Sequence, residues 1–267
     1  MKIAWFGKHF GEEPPLVGDS RQGAGGIFFS GCHLRCIFCQ NYKISQQGLG
    51  KEYSVSELVQ IMLRLQQEGA INIDLVTPTL WWKPIREAII EARKQELRLP
   101  VVWNSNAYES VPMLEALEDV VDIYLPDFKY GIESVGERFS GVKNYPDMAL
   151  KAIREMARQK GPLVVTNGLA AKGVIVRHMI LPNNLENTRA ALELLAPLKS
   201  DFTIALMSQY FPLHKALEIP ELNRRLTPKE WQNAYDALEQ LGFENGWVQE
   251  LESAPCLVPD FKKENPF

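Results

Sequence analysis

Six short apolar runs, each followed by a stretch of helical periodicity, set narrow limits on what this chain can fold into. They lie at 25–31, 71–76, 101–106, 122–128, 174–180 and 202–208. Between the first two, Ser54-x-x-Glu57 forms a capping box ahead of a stripe of Val55, Leu58, Val59, Met62 and Leu63. Ile85, Ala88, Ile89 and Ala92 mark the next helix. Further helices are expected over 110–118, over 148–160 with a stop at Gly161-Pro162, over 185–198, and after the cap at Thr227-Pro228. Alternation of this kind implies parallel strands joined by right-handed crossovers. The chain therefore reads as α/β, a curled six-stranded sheet forming an incomplete (β/α)6 barrel with parallel strands. Residues 163–166 and 174–180 flank Asn167-Gly168 and predict a local hairpin, and 247–251 a short terminal strand.

A chain of 267 residues that is 46% hydrophobic can bury one substantial core, and α/β barrels commonly reach this length. We expect one domain, 1–267, with 1–24 as an irregular Gly- and Pro-rich leader, 25–210 as the barrel core, and 211–267 as a C-terminal helix and extension. A net charge of −4 and a pI near 5.7 argue against nucleic acid as the partner. The apolar stretch before Gly7 is too short for a signal-peptide core, and no run approaches a membrane span. A cytoplasmic protein with no membrane partner is expected, in a compartment where thiols stay reduced.

The first apolar run delivers Cys32, Cys36 and Cys39 within eight residues, Cys-His-Leu-Arg-Cys-Ile-Phe-Cys. Thiolates at spacing x3 then x2 suit three irons of one [4Fe–4S] cube, whereas electron-transfer cubes take four cysteines. The remaining cysteine, Cys256, is far downstream, beside Pro255 and Leu257, and reads as a buried inert thiol. One iron would then stay open to a small ligand. A zinc site with His33 as fourth ligand fits poorly: zinc sets use paired knuckles, and His33 directly follows Cys32. A disulfide would leave one thiol over.

In such barrels ligands gather at the C-terminal ends of the strands. Those ends carry Thr77-Pro78-Thr79, Asn104-Ser105-Asn106, Asp127-Phe128-Lys129, Arg177-His178 and Ser208-Gln209-Tyr210. His178 alternates with Arg177 along a strand, so it faces the other way and reads as a packed histidine. Asp127–Lys129 and Arg177 also admit a reading as structural ion pairs. Trp81 and Trp82 read as core or mouth-lining aromatics.

Together these blocks, with Phe-Phe-Ser-Gly-Cys-x-x-x-Cys-x-Phe-Cys-Gln-Asn and Leu-Val-Thr-Pro-Thr, resemble the pyruvate formate-lyase activating enzyme branch of the radical S-adenosylmethionine (SAM) superfamily over most of 18–210. The resemblance implies that Cys32, Cys36 and Cys39 hold the cluster and that Phe38 packs near adenine. Thr77-Pro78-Thr79 stands where many members have Gly-Gly-Glu, which receives the SAM amino group. Without that Glu, backbone carbonyls or Thr hydroxyls must serve. Asn104-Ser105-Asn106 and Asp127-x-Lys129 match segments that place SAM and a monovalent cation, with Asn104 in place of an Asp. Arg177 matches an arginine that meets the methionyl carboxylate. Phe211 replaces a family histidine, so Gln209 or Tyr210 takes its place. The implied activity is reductive cleavage of SAM to a 5′-deoxyadenosyl radical, with flavodoxin or ferredoxin as electron donor. The radical would take hydrogen from a glycine of a partner glycyl-radical protein, or alternatively from a small molecule or peptide. With four cysteines in all, the chain cannot house the extra ferredoxin-like clusters of one activase subgroup.

Overall fold

The structure, a computed structural model, describes residues 1–251, 259–261, 263, 265 and 266. Cys256 lies outside the described residues. The strands are β1 (Lys2–His9), β2 (Ala24–Phe29), β3 (Lys51–Glu52), β4 (Ile73–Val76), β5 (Val101–Ser105), β6 (Ile123–Pro126), β7 (Val164–Thr166), β8 (Leu169–Met179), β9 (Thr203–Met207) and β10 (Gly246–Val248). The helices are α1 (Pro14–Val17), α2 (Tyr42–Ser45), α3 (Val55–Gln67), α4 (Trp82–Lys94), α5 (Val111–Glu115), α6 (Glu133–Ser140), α7 (Tyr145–Lys160), α8 (Leu185–Leu195) and α9 (Pro228–Gln240).

All six expected runs form strands, and they pair in parallel in the order β2-β4-β5-β6-β8-β9. The sheet does not close: β10 extends it in parallel beyond β9, and β1 and β3 lie antiparallel at the other edge. An incomplete parallel barrel is the outcome. Ser54 and Thr227 both form the capping boxes that start α3 and α9. β7 and β8 form the expected hairpin, with Asn167 and Gly168 both at positive φ, a conformation their small or absent side chains tolerate. Among the described residues no helix is long and apolar enough to cross a membrane.

Alternation along the strands separates two cores. Val101 and Trp103 of β5 join the large cluster beneath the helices, whereas Val102 joins a smaller one with Ile123, Leu125, Ile175 and Ala205 inside the curl. Leu16, 1% exposed, belongs to that inner cluster. This corrects the reading of 1–24 as irregular: Lys2–His9 is a full strand on β2, and the chain then turns so that α1 enters the lumen. The Asn72 side-chain amide donates to the Leu16 carbonyl at 2.8 Å and fastens the turn there. Gly and Pro mark the bends of this leader correctly, but between the bends its backbone finds partners.

Candidate active site

The cysteine loop follows β2 and is held against the end of α6, where Arg35 and Ile37 donate backbone hydrogen bonds to the carbonyls of Ser140 and Phe139. Each sulfur meets at least one polar side chain. Asn106 Nδ2 lies 3.3 Å from Cys32 Sγ, Ser140 Oγ 2.8 Å from Cys36 Sγ, and Ser45 Oγ 3.3 Å from Cys39 Sγ. Burial pushes the Cys32 thiol up to about 11 and Cys39 up to about 12, so metal binding there must displace protons. Among the described residues the three sulfurs do not form a set of donors within 4.8 Å of one another. A single tetrahedral zinc would need sulfurs about 4 Å apart. The wider spread suits a cube with one thiolate on each of three irons.

The thiols open on a cavity of about 250 Å³, and its lining contains most of the expected shell: Phe38, Thr77, Asn104, Ser105, Asn106, Asp127, Lys129, Arg177 and Gln209. Four of these form one network. Arg177 Nε donates to Asp127 Oδ1 and Nη2 to Asn104 Oδ1, each at 2.7 Å, and Lys129 Nζ donates to Asp127 Oδ2 at 2.7 Å. Burial raises the Asp127 pKa, but Arg177 and Lys129 outweigh it and hold the carboxyl below its usual range. Arg177 is thus neither a lone brace nor a surface residue. Phe38, 5% exposed, packs edge-on against Tyr210 at 6.0 Å. Thr77 holds a positive φ of 57°, a costly conformation for a β-branched residue, and its N–H bonds to the Asn104 carbonyl at 2.8 Å.

Two expected residues point elsewhere. Thr79 Oγ1 donates to the buried carboxylate of Glu109 at 2.8 Å, and Pro78 and Thr79 lie outside the cavity lining. The chain turns into a helical turn at Thr79–Trp81, which carries the hydroxyl to the outer side of the sheet. Ser105 lines the cavity but commits its hydroxyl to the same Glu109 at 2.8 Å. His33 is exposed, in a separate groove with Trp82 and Tyr108, and does not face the thiols. His178 is packed as expected: Nδ1–H donates to the Phe128 carbonyl at 2.7 Å, and Nε2 accepts from Thr188 at 3.0 Å.

Several contributors escaped the sequence reading. Glu12 of the leader accepts from Arg177 Nη1, and its other oxygen lies 3.3 Å from Asn104 Nδ2. Glu13 sits 4.0 Å from Arg177, and burial pushes its carboxyl up to about 7. Tyr145, fully buried, places its hydroxyl 2.8 and 2.7 Å from the carbonyls of Asn106 and Asp127 and accepts the Lys129 N–H, tying two strand ends together. Pro259 returns the C-terminal extension to the cavity wall. The leader did contain a signal, two adjacent carboxylates before Pro-Pro, but nothing local says that they are buried.

Comparison with known proteins sorts these features. The Radical SAM superfamily model matches residues 27–195. An uncharacterised protein of Methanocaldococcus jannaschii is 34% identical over 244 residues, covering 87% of this chain and 65% of its own length. The pyruvate formate-lyase 1-activating enzyme of Escherichia coli is 22% identical over 123 residues, 44% of this chain and 50% of that enzyme. The chain thus spans between half and two thirds of the length of these relatives. Among solved structures, Streptococcus suis SuiB bound to S-adenosylmethionine superposes with a TM-score of 0.57 at 14% identity, over 84% of this chain and 51% of SuiB. Methylornithine synthase gives 0.57 at 18% identity, over 84% of this chain and 63% of that one. At these identities the likeness is one of fold. The family match covers more than half of the chain, including the cysteine loop and the strand ends through Arg177, and its name implies a [4Fe–4S] cluster and SAM: the chain belongs to the Radical SAM superfamily of enzymes.

Proposed function

We propose that Cys32, Cys36 and Cys39 hold the [4Fe–4S] cluster and that the cavity beside them binds SAM. The observation that carries this reading is the convergence of three hydrogen-bonded thiols and the Arg177–Asp127–Lys129 network on one cavity. When bound, the cluster supplies the electron that cleaves SAM to a 5′-deoxyadenosyl radical; flavodoxin or ferredoxin, in the cytoplasm, is the proposed source of that electron.

The chain's own residues bind, orient and exclude water. Arg177 takes the methionyl carboxylate, exchanging part of its contact with Glu12 or Asn104. The Thr77 and Asn104 carbonyl region receives the amino group in place of a Gly-Gly-Glu carboxylate. Phe38 faces adenine, and Asn106, Lys129 and Gln209 complete the polar wall. A monovalent cation would sit by Asn104 and Asp127, where one carboxylate remains of the two that the family pattern supplies.

For the substrate we propose a glycine of a partner glycyl-radical protein, supported by similarity to the activating enzyme in sequence. A small molecule or peptide is the second reading, favoured by the acidic lumen of Glu12 and Glu13, which a glycine Cα does not need. Reduced enzyme, SAM and each encoded candidate glycyl-radical protein, followed by electron paramagnetic resonance, separate the two. A doublet glycyl signal supports activation. SAM cleavage without that signal in any pairing rejects it. Arg177→Ala should weaken SAM binding by about 10- to 100-fold, the loss of a charge-assisted pair. Unchanged binding would reject the site map while leaving the cluster reading intact.

A further inference from the structure

At the wall of the SAM cavity, three side chains from two chain segments converge: His9 at the end of β1, Glu12 from the turn just after it, and Asp74 in β4. One donor atom from each lies within 4.8 Å of the other two. His9 Nε2 is 3.2 Å from Asp74 Oδ2 and 3.5 Å from Glu12 Oε1. Bonds of about 2.0–2.2 Å to nitrogen and carboxylate oxygen put neighbouring donors of one ion about 3.0–3.6 Å apart. An ammonium group held by the same atoms would need acceptors about 4.5 Å apart, given ordinary N–H···O lengths.

The site is built rather than incidental. His9 and Asp74 are 4% and 1% exposed. The imidazole lies over Gly26, where a Cβ would meet His9 Cδ2 at 2.8 Å, and Phe28 packs edge-on against the ring at 5.5 Å. Glu12 is fixed from its far side by Arg177. The second oxygen of Asp74, Oδ1, is buried with no hydrogen-bond partner. An orphaned buried carboxylate oxygen is costly, and a cation beside it removes the cost.

The geometry points to a site for one divalent first-row transition ion, held by His9, Glu12 and Asp74. One imidazole and two carboxylates suit Mn²⁺, Fe²⁺ or Zn²⁺ better than a thiolate-seeking ion. The donors differ from Asn104 and Asp127, where a monovalent cation is proposed. Gly11 is exposed beside His9 and marks the route of entry. Its N–H approaches His9 Nδ1 at 3.4 Å; on metal binding the ring proton moves from Nε2 to Nδ1, and this long contact opens. Three protein donors leave coordination positions for water or for a substrate oxygen in the cavity, which His9 and Glu12 both line. The inference rests on the lumen alone, so loss of SAM cleavage would not touch it.

The test is a titration of cluster-loaded enzyme with Mn²⁺, the cluster kept in its oxidised, diamagnetic state. The six-line resonance of free Mn²⁺ should be suppressed up to about one ion per chain. His9→Gln and Asp74→Asn should each weaken binding by about tenfold or more. Glu12→Gln, outside any strand, repeats the comparison if the strand variants fold poorly. An undiminished free signal with the wild-type enzyme overturns the proposal without any variant. So does full binding by a His9→Gln/Asp74→Asn double variant that retains its cluster iron.

Discussion

Arg177 and His178 are chain neighbours on β8, yet the two faces of the sheet treat them differently. On the outer face His178 is neutral, with both ring nitrogens bonded, and the buried Glu109 takes hydrogen bonds from Thr79, Trp103 and Ser105. On the inner face Arg177 joins several carboxylates, and both Glu13 Oε2 and Asp74 Oδ1 are buried without a hydrogen-bond partner. Closed polar networks rigidify a fold; buried groups left short of partners are where a ligand completes the count. The inner face is therefore built to be finished by something it binds, and the outer face is already finished.

The largest break in that comparison is Cys36→Ala. It removes one of three sulfurs, and anaerobically reconstituted protein should lose essentially all of its roughly four irons, as a three-thiolate cube requires. The outer face should not notice, so far-ultraviolet circular dichroism should stay that of the wild type. Retention of the full iron content would show that the cube is held elsewhere.

A smaller effect sharpens the outer half. Burial lowers the His178 pKa to about 4, against the unfolded imidazole value near 6.5. The folded state thus refuses a proton that the unfolded chain accepts. The stabilisation is whole above pH about 6.5 and is lost progressively as the pH falls toward about 4, by about 3 kcal/mol in total. His178→Gln cannot titrate, so its unfolding free energy should fall less steeply than the wild type's across that window. Parallel pH profiles would mean that His178 is not held neutral.

What the sequence made legible follows the same division. Short apolar runs and capping signals are local, and they placed six strands and the capped starts of two helices. Thiol spacing is local too, and it singled out three cysteines that the structure brings to one cavity. Arg177 and His178 were separable because alternation alone assigns them to opposite faces. What stayed hidden depends on distant chain segments. Ser140 reaches Cys36 across 104 positions, and Glu12 reaches Arg177 across 165. A serine at the end of a helix and two glutamates before Pro-Pro carry no pattern that announces a partner. Thr79 misled for the converse reason: its place beside Thr77 suggested one shared surface, but the turn after Pro78 carries it to Glu109.

The smallest effect concerns that hidden serine. Ser140 is the last residue of α6, before Gly141 at φ 68°, and is fully buried. Tyr130 lies within hydrogen-bond reach of its oxygen, which leaves the Ser140 hydroxyl proton for Cys36 Sγ at 2.8 Å. A donor aimed at a ligating sulfur favours the more negative, reduced state of a cluster and so raises its potential. Ser140→Ala removes the donor without removing a ligand, so the iron content should hold. If the bond differs by up to about 1 kcal/mol between oxidation states, the midpoint potential should fall by up to about 40 mV for one electron. Redox titration followed by electron paramagnetic resonance reads that shift directly. A potential that stays fixed, or rises, would mean that the 2.8 Å contact orients Cys36 without tuning its charge, and Ser140 would then belong with the finished face of the sheet.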